Sequence, residues 1–532
     1  MIQPAASTAL IHDFLETSAA LYPGHCAVVC DSGRYTYAHI NEAANAMAAE
    51  LLDLGLQRSD PVVVLCKNGF EYIACYYGIL KAGGCVVPVN PGFTAPDIAS
   101  FVRFVQPHSI IVERALLAGL RECADTPSFL MTQKNGDLPG RISAAFKNAG
   151  ALDEILYRPC PGNPHLAIDA AGGASIIFTS GSTGRPKGVL LSHKNIVANT
   201  RSICRYLAIT HGDVQMVVLP FTYVMGKSLL NTHIAAGARV VINNQFAFTA
   251  AVLRQMEREQ VTSFSGVPST YAQLVTKSPL REYRDRLPWL RYCSQAGGHM
   301  ARPVKMLLRK LLPPHTNIVV MYGATEASAR LTYLEPHRFH EKIESIGKAI
   351  PGVVITIRDE RGRELPPGKE GELVAQGDNI MMGYYKDPEA TGQVLDSFGY
   401  HTGDYGYKDE EGFLFISGRR DELVKVSGYR VNIAEIEECI LESGLAIECA
   451  VVPVTSDLGG AKLLAMASGV GASVSAADLH RYCMEHLPLF KRPKEIVMSK
   501  SIPKNINGKI DRDQCRVQLM NQKTTGRSIC AA

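Results

Sequence analysis

The chain has 532 residues, of which 46% are hydrophobic and 20% are charged, as in an ordinary soluble globular protein. This length is too great for a single hydrophobic core, so we expect two or more domains. The formal net charge is only +4 and no run of Lys and Arg stands out, which argues against a surface for nucleic acids or anionic membranes.

In the first 170 residues, short β-rich runs alternate with helical patterns, starting with a strand at 27–31, a second strand, and an amphipathic helix ending near Gly55. Further strands are predicted at 61–67, 85–90, 109–113, 214–220, 238–243, 261–267, 290–298 and 317–323. Strands separated by helices of this length predict parallel sheets covered by helices, so the fold class is α/β.

After about residue 345 the pattern changes. Residues 353–377 predict an antiparallel meander or barrel part with a polar hairpin at 360–363, and another strand follows at 413–418. The last hundred residues predict a small α+β unit with two helices, and the segment after Gln514 is too short to add a domain. We therefore divide the chain into an N-terminal domain (1–418), a hinge (419–421) and a C-terminal domain (422–532).

The first residues, MIQPAASTALIHDF, lack the basic and apolar regions of a signal peptide, and no stretch of about 18 apolar residues could span a bilayer. The 14 cysteines include no C-x-x-C pair. Cys26 and Cys30 come closest, and we interpret them as buried free thiols on one face of a strand rather than a metal site or a disulfide. These features predict a soluble protein of a reducing compartment, the cytoplasm.

A loop rich in glycine and hydroxyl side chains follows the apolar strand at 175–178. It contains Thr179, Ser180, Gly181, Ser182, Thr183, Gly184 and Lys187. Glycines let backbone N–H groups approach an anion, and hydroxyls and a lysine donate to phosphate oxygens, so the loop predicts phosphate binding. A Walker A loop is excluded, because Pro186 stands where its second glycine belongs and Gly188 follows Lys187.

The segment TSGSTGRPKG (179–188) resembles the signature of the adenylate-forming superfamily, which includes acyl-CoA synthetases, peptide-synthetase adenylation domains and firefly luciferase. Four further motifs follow in the family's order, so the resemblance covers residues 12–515. It implies an enzyme that uses ATP and Mg²⁺ to convert a carboxylic acid into an acyl-adenylate and pyrophosphate. It also implies that the loop binds ATP, with Ser182, Thr183 and Lys187 on the β- and γ-phosphates.

The segment MYGATEAS (321–328) is similar to a second family motif. The resemblance implies that Tyr322 stacks on adenine, that Thr325 bonds the α-phosphate and that Glu326 holds Mg²⁺, the last two as catalytic residues. A flat ring, a short hydroxyl and a hard oxygen ligand suit these roles. Close backbone approach to the adenine and the acyl chain is implied for the glycines of this motif and of QAGGHM (295–300), namely Gly297, Gly298 and Gly323.

Three motifs nearer the C-terminus, two within residues 400–437 and one at PKNINGKIDR (503–512), complete the resemblance. They imply that Asp404 accepts from both ribose hydroxyls, that Arg419 contacts the ribose or the α-phosphate, and that Lys509 is the catalytic lysine, whose charge stabilises the transition state. The small domain is implied to rotate about the hinge at Asp421. One orientation brings Lys509 to the adenylation step, and the other offers a face at 422–437, including Lys425 and Gly428, to an incoming thiol.

The acyl pocket is predicted in the segment 219–233, LPFTYVMGKSLLNTH. Tyr223 stands where many acyl-CoA synthetases have a histidine, and neither Thr222 nor Tyr223 offers a carboxylate to an α-amino group, which disfavours an amino-acid substrate. Lys227 interrupts an apolar run. We interpret it as a lysine whose stem packs while its head reaches solvent, and a second carboxylate on the substrate is the alternative. The other predicted lining residues are Val267, Ala296, Ala324 and Ser328.

The acceptor of the acyl group is open between two interpretations. No carrier domain follows the Lys509 motif, which favours a free-standing ligase that joins a small organic acid to the CoA thiol. The segments 427–430 and 507–512 also resemble adenylation domains that load carrier proteins, so a stand-alone acyl-carrier-protein ligase or an amide-forming ligase is the alternative. A non-catalytic nucleotide-binding protein is disfavoured, because Lys509, Glu326 and Asp404 are all present. The expected partners are the acid, ATP and CoA, without nucleic acid.

Overall fold

A computed structural model describes residues 9–120, 129–132, 147–160, 162–179, 187–419, 423–426, 429–455, 461–469, 474–505 and 509–524. The helices are α1 (Asp13–Leu21), α2 (Tyr37–Asp53), α3 (Phe70–Lys81), α4 (Ala95–Val105), α5 (Leu152–Leu156), α6 (His193–Tyr206), α7 (Val224–Ala235), α8 (Thr249–Arg258), α9 (Pro268–Thr276), α10 (Arg302–Leu311), α11 (Pro388–Gly392), α12 (Ile433–Glu442), α13 (Ala476–His486) and α14 (Arg512–Thr524). Among these described helices, none has the length and apolar composition needed to cross a membrane.

The first large sheet contains the strands predicted beyond residue 214. Its order is β16 (Lys348–Ala349), β15 (Thr332–Tyr333), β14 (Asn317–Tyr322), β13 (Tyr292–Gln295), β12 (Ser263–Gly266), β10 (Val214–Val217), β11 (Arg239–Ile242), β1 (Cys26–Cys30) and β2 (Gly33–Thr36). Strands β14 to β1 in this order pair in parallel, and β2, β15 and β16 add antiparallel edges. The predicted parallel sheet is confirmed, and buried Met216 and Phe264 are typical of strands covered on both faces.

The second large sheet holds the remaining early strands. Its order is β19 (Gly383–Tyr384), β9 (Lys187–Ser192), β8 (Gly173–Thr179), β4 (Cys85–Pro88), β3 (Pro61–Leu65), β5 (Ser109–Val112), β6 (Phe129–Thr132) and β7 (Lys147–Ala151). Strands β8 and β9 form an antiparallel hairpin, and β9 leads directly into α6. A reciprocal cap begins that helix, since the Asn195 N–H donates to Ser192 Oγ at 3.1 Å and the Ser192 N–H to Asn195 Oδ1 at 2.9 Å.

Helices α2, α3 and α7 share one apolar core with strands of both large sheets. Met47, Ile73 and Leu230 of these helices are fully buried in the same cluster as Val64 of β3 and Val240 of β11. Burial of this many apolar side chains is the main stabilising contribution to such a layered fold. The cluster therefore fixes α3 against α7, two helices that carry side chains of the site.

A smaller antiparallel sheet follows, with the order β17 (Val353–Arg358), β18 (Gly371–Gly377), β21 (Gly399–Lys408) and β20 (Leu395–Asp396), and with β22 (Leu414–Arg419) paired to β21. The predicted polar turn is confirmed after β17, where the Asp359 carboxylate accepts from the N–H groups of Arg361 and Arg363 at 2.9 Å each. The register of β21 and β22 sets Asp404 opposite Arg419.

The C-terminal residues form an α+β unit with its own core. Its strands are β23 (Leu423–Val426), β24 (Tyr429–Asn432), β25 (Ala446–Thr455), β26 (Ala461–Gly469) and β27 (Glu495–Met498). Two apolar clusters within residues 424–519 lie on the faces of the β25–β26–β27 sheet. The prediction of two helices was wrong, because α14 is a third helix whose Cys515 and Leu519 are buried against this sheet.

The prediction for the two early cysteines is only half confirmed. Cys26 and Cys30 are free thiols on strand β1, as expected. Both are half-buried rather than buried, because they stand at the two ends of the strand, where the sheet no longer covers them.

Candidate functional site

The predicted phosphate loop joins the two strands of the β8–β9 hairpin. Thr179 and Lys187 are paired across the hairpin, and the Thr179 hydroxyl donates to the Lys187 carbonyl oxygen at 3.4 Å. The hairpin therefore holds both ends of the loop together. The loop residues Ser180, Gly181, Ser182, Thr183 and Gly184 lie outside the described residues.

The predicted metal ligand, Glu326, lies beside the phosphate-loop lysine. Tyr384 of β19 donates its hydroxyl proton to Glu326 Oε1 at 2.8 Å, and Lys187 Nζ lies 4.9 Å from the centre of the Tyr384 ring. Burial and the Glu326 carboxylate raise the pKa of the Tyr384 hydroxyl, so it remains a donor. Tyr384 thus links Glu326 to Lys187, and sequence reasoning missed it because nothing in the local pattern around Gly383 marks it.

A second group of predicted residues gathers at the end of β14. The Tyr322 hydroxyl donates to Asp404 Oδ2, and Arg419 Nε donates to Asp404 Oδ1 at 3.0 Å. Burial and the neighbouring Asp404 hold the pKa of Tyr322 well above its usual range. A ring, a carboxylate and a guanidinium from three strands therefore meet as one hydrogen-bonded group.

Glycine is needed at two of the predicted positions. A Cβ atom at Gly323 would lie 2.0 Å from the Ala329 carbonyl oxygen, so any other residue would displace the backbone there. Gly297 has a φ of +86°, which side-chain-bearing residues rarely adopt, and its built Cβ would lie 3.2 Å from a Val267 methyl group. Gly298 is held next to it, because Gln295 Nε2 donates to the Gly298 carbonyl oxygen at 2.6 Å.

Lys509 comes to this site from the C-terminal unit. Its ammonium nitrogen lies 5.9 Å from the centre of the Tyr223 ring, which belongs to the predicted acyl region. Its backbone is fixed by Asn505, whose side chain accepts from the Lys509 N–H at 3.1 Å and whose N–H donates to the Lys509 carbonyl at 2.8 Å. The lysine is thus held over the region where the acid is expected.

Polar contacts join the C-terminal unit to the larger part of the chain. His299 Nε2 lies 3.5 Å from Glu438 Oε1 on α12, and the His299 side chain holds the pKa of Glu438 below its usual range. Lys305 of α10 adds to the positive charge near the same carboxylate. On the other side of the unit, the Asn432 side chain donates to the Ser417 carbonyl oxygen.

Four predicted acyl-pocket residues lie outside α7, on the segments that follow strands β12, β13 and β14. Val267 and Ala296 are buried, and the Ala296 N–H donates to the carbonyl oxygen of Gly266 at 3.4 Å. Ala324 precedes the short 3₁₀ helix at Thr325–Ala327. Ser328 is buried and its hydroxyl donates to the Asn379 carbonyl oxygen at 2.8 Å, so this hydroxyl already has a protein partner.

The interpretation of Lys227 as a lysine with its head in solvent was wrong. The residue is only 2% exposed, and its ammonium nitrogen lies 4.7 Å from the centre of the Tyr76 ring. Within the described residues the nitrogen has no hydrogen-bond partner. Burial lowers the pKa of Lys227 to about 7. The error arose because an isolated charge in an apolar run does not reveal which helix covers it.

Arg330 is a buried cation that sequence reasoning missed. It is 2% exposed, its Nη1 donates to the Ala329 carbonyl oxygen at 3.2 Å, and its Nε has no partner among the described residues. Tyr206 and Tyr223 are its electrostatic neighbours, and burial lowers its pKa. The sequence signal that could have identified Arg330 is the same as for Lys227, namely a charged residue within an apolar run.

The predicted hinge and thiol-face residues also remain predictions. Asp421 and Gly428 lie outside the described residues. Lys425 belongs to the β23–β24 hairpin, where it is paired with Arg430, and its side chain is not among those described.

The sequence and the fold of this chain match known proteins. The profile of AMP-binding enzymes matches residues 15–385, and that of the AMP-binding enzyme C-terminal domain matches residues 435–509. The chain therefore belongs to the AMP-binding enzyme family, as the motifs predicted.

Similar proteins include both free-standing ligases and parts of larger synthases. The chain is 28% identical to the long-chain-fatty-acid–CoA ligase of Bacillus subtilis (strain 168), over 98% of this chain and 95% of that protein. It is also 28% identical to tyrocidine synthase 2 of Brevibacillus parabrevis, over 96% of this chain but only 14% of the synthase. The crystal structure of ATP-bound MatB from Rhodopseudomonas palustris superposes with a TM-score of 0.83 at 25% identity, covering 96% of this chain and 99% of MatB. The predicted α/β fold is confirmed.

Proposed function

We propose that this enzyme is an AMP-forming carboxylic acid–CoA ligase. It would activate an organic acid with Mg-ATP to an acyl-adenylate and pyrophosphate. The CoA thiol would then attack the acyl carbonyl, forming the thioester, and AMP would leave with the acyl–phosphate oxygen. The observation that carries the proposal is the approach of Lys509 to Tyr223, which places a positive charge from the C-terminal unit at the predicted acyl region.

The adenosine end of ATP is assigned to the Tyr322 group. In the proposal, adenine stacks on the Tyr322 ring and the ribose hydroxyls donate to Asp404. Arg419 fixes that carboxylate from the other side at 3.0 Å, so the acceptor is preorganised before the nucleotide arrives. Support for close approach of the base comes from Gly323 and Gly297, where a side chain would collide with the backbone or adopt a strained conformation.

The phosphates are assigned to the β8–β9 hairpin loop and Lys187. Glu326 is suited to hold Mg²⁺, because a carboxylate is a hard oxygen ligand and Mg²⁺ commonly takes only one or two protein carboxylates with phosphate and water. One Glu326 oxygen is already oriented by Tyr384 at 2.8 Å. The cation would neutralise charge on the leaving phosphates.

In the adenylation step, a carboxylate oxygen of the acid attacks the α-phosphorus of ATP. The bond from that phosphorus to the bridging oxygen breaks, and pyrophosphate leaves with the electron pair. Negative charge therefore increases on oxygens around the α-phosphorus in the transition state. Lys509, with Thr325 as hydroxyl donor, is assigned to stabilise that charge.

For the second step, the C-terminal unit is assigned as the mobile part, with 1–418 and 422–532 as the two domains. Rotation about the hinge at 419–421, centred on Asp421, would withdraw Lys509 and present the face that contains Lys425 and Gly428 to the thiol. Support for a reversible orientation comes from the contact at His299 and Glu438, which is polar and half-exposed rather than apolar.

CoA is the proposed thiol because a free-standing relative that matches over 95% of its length is a CoA ligase. Because the chain is also similar to part of a larger synthase, a carrier protein is the alternative acceptor.

The test is pyrophosphate release across a panel of acids with ATP and Mg²⁺, in the wild type and in Lys509→Ala. We expect release that depends on acid and is lost in the variant. Equal release of pyrophosphate by the wild type and the variant without any acid would contradict the proposal. The panel is then repeated with CoA, and acyl-CoA is sought by mass spectrometry. If pyrophosphate release depends on the acid but no acyl-CoA forms, the acceptor is a carrier protein or an amine rather than CoA.

A further inference from the structure

Lys227 has contacts of an unusual kind for a buried ammonium group. The residue is on the first turn of α7, and its nitrogen faces two aromatic rings of α3, at 4.7 Å from the centre of Tyr76 and 5.8 Å from that of Tyr72. The Cys85 thiol of β4, which is itself buried, is a further titratable group near Lys227. In the part of the chain that the structure describes, no hydrogen-bond acceptor reaches this nitrogen.

The two rings do not replace a polar partner. The Tyr72 hydroxyl donates to the Phe221 carbonyl oxygen at 3.0 Å, and the Tyr76 hydroxyl accepts from Asn231 Nδ2 at 3.1 Å, so both hydroxyls bond other groups. Attraction between a cation and an aromatic face is much weaker than the hydration that a buried ammonium loses. The fold therefore leaves Lys227 short of one strong acceptor.

Other buried lysines of this chain do have acceptors. Lys81 is fully buried, and its nitrogen lies 2.8 Å from a Glu16 carboxylate oxygen. Lys305 is 2% exposed, and its nitrogen donates to the Ile343 carbonyl oxygen at 2.6 Å. Both of these buried ammonium groups therefore have acceptors within the protein. Lys227 differs from them, which indicates that its acceptor belongs to a ligand.

The position of Lys227 points to the acid as that ligand. Its N–H donates to the Tyr223 carbonyl oxygen at 2.9 Å, so the two residues are one helical turn apart on the same face, with Cβ atoms about 6 Å apart. The Lys509 ammonium nitrogen also approaches Tyr223, at 5.9 Å from the centre of its ring. An acid that reacts beneath Lys509 and extends along α7 has its far end near Lys227.

A second buried cation supports an anionic group at that end. Arg330 is an electrostatic neighbour of Tyr223, and its Nε has no partner among the described residues. Arg330 lies near Tyr223 and Lys227 lies one helical turn beyond it, so this region contains two buried cations. They create a positive potential that an uncharged acyl chain would leave uncompensated.

Resting on the acid activation proposed above, we propose that the substrate is a dicarboxylic acid whose second carboxylate binds Lys227. One carboxylate reacts with ATP next to Lys509, and the other accepts hydrogen bonds from the Lys227 ammonium group. Such a pair raises the pKa of a lysine that burial has lowered, so the bound lysine is charged. Monocarboxylic acids of the same length leave the lysine unpaired and bind less well.

The test compares dicarboxylic acids of increasing length with the monocarboxylic acid and the monoester of each. Acid-dependent pyrophosphate release gives kcat/KM for every acid in the wild type, Lys227→Met and Lys227→Arg. We expect the wild type to prefer diacids, and Lys227→Met to reduce that preference about a hundredfold, the usual effect of removing one partner of a buried charge pair. Lys227→Arg, which retains a cation, is expected to restore part of it. Thermal unfolding checks that each variant is folded.

Each outcome bears on the proposal. A wild type that uses monocarboxylic acids or monoesters as well as diacids overturns it, whatever the variants do. A preference for diacids that survives in folded Lys227→Met also overturns it, because the second carboxylate is then bound elsewhere. In both cases acid-dependent release continues, so the proposed ligase activity stands. If no acid supports release, the ligase proposal fails and this inference fails with it.

Discussion

Two of the buried lysines, Lys81 and Lys227, lie in contrasting surroundings. Lys81, at the end of α3, lies 2.8 Å from a Glu16 oxygen and donates to three amide oxygens at 2.7–3.0 Å. Lys227, on α7, faces aromatic rings and has no hydrogen-bond acceptor among the described residues. A lysine with a full set of partners stabilises the fold, whereas one without them is available to a ligand. Replacing each should therefore have effects of opposite sign on stability.

The largest expected effect on stability is at Lys81. In Lys81→Met, the Glu16 carboxylate and the side-chain amides of Asn41 and Asn45 lose their shared donor inside the protein. We expect the free energy of unfolding to fall by about 3–5 kcal/mol, as when one partner of a buried ion pair is removed. Urea unfolding measures this change.

The control for Lys81 is Lys194→Met. Lys194 also forms a carboxylate pair, with Asp378 at 2.9 Å, but both side chains are more than half exposed. Exposed pairs contribute little, so this variant should unfold nearly as the wild type does. Equal stability of the two variants would contradict the structural role of Lys81.

The second prediction concerns catalysis, and it contrasts the exposed Lys509 with the buried Lys81. Lys509 is exposed, and its ammonium lies over the Tyr223 ring. Lys509→Ala should slow acid-dependent pyrophosphate release by about 10²–10³-fold, the usual loss when one transition-state donor is removed. Unfolding should be unchanged. Lys500→Ala, an exposed lysine of the same unit, is the control, and an equal loss of rate there would indicate a general charge effect.

A third effect concerns the stability of Lys227→Met, which should rise. Burial lowers the pKa of Lys227 from 10.5 to about 7, so below pH 7 the folded protein holds a charge that it solvates poorly. We expect the variant to be more stable than the wild type in that range, because it removes a buried charge that has no partner in the fold. Between pH 7 and 10.5 folding releases the proton of Lys227, so the stability of the wild type rises with pH in this range. The difference in stability between the wild type and the variant should therefore disappear near pH 10.5.

Urea midpoints of the wild type and Lys227→Met, measured across this pH range, check the prediction. A difference that stays constant with pH would indicate altered packing alone. A variant less stable than the wild type below pH 7 would show that Lys227 has a partner in the fold, and the contrast with Lys81 would disappear.

The sequence was informative where local pattern decides structure. Apolar runs separated by helices predicted the parallel strands. The family resemblance separately marked Tyr322, Asp404 and Arg419, which the structure joins by hydrogen bonds. Helix α14 was missed because only a few of its side chains, including Cys515 and Leu519, are buried, so its apolar period is weak. Such a helix is stabilised by the sheet that it packs on rather than by its own pattern.

The environment of a charged residue could not be predicted in the same way. The segment around Lys227 shows a charge inside an apolar run, but its surroundings come from Tyr72 and Tyr76 on α3 and from Cys85 on β4, far away in the chain. Lys81 has a similar apolar context and yet meets Glu16. The difference depends on which elements the fold packs together, and a single sequence does not supply that information.

The smallest expected effect is at Glu438, which lies near both His299 and the partnered lysine Lys305. The pair with His299 spans 3.5 Å, and both side chains are about half-exposed, so its contribution is about 0.2–1 kcal/mol. Since the pair joins the C-terminal unit to the larger part of the chain, Glu438→Gln should shift the unit away from the orientation that holds Lys509 at Tyr223. We expect pyrophosphate release to slow by less than about fivefold, because 1 kcal/mol changes a population by no more than that.

The matched control for Glu438 is Glu435→Gln on the same helix. Glu435 pairs with Lys491 within the C-terminal unit, at 2.5 Å, so its loss affects both orientations alike. Single-turnover measurements that separate adenylation from thioester formation should show slower adenylation in Glu438→Gln only, with thioester formation unchanged or faster. Equal slowing of adenylation in both variants would mean that Glu438 acts through the stability of α12. Slower adenylation in Glu438→Gln alone would instead show that the contact with His299 favours the adenylating orientation. Such a role differs from that of Lys81, whose partners are present in every state of the folded protein.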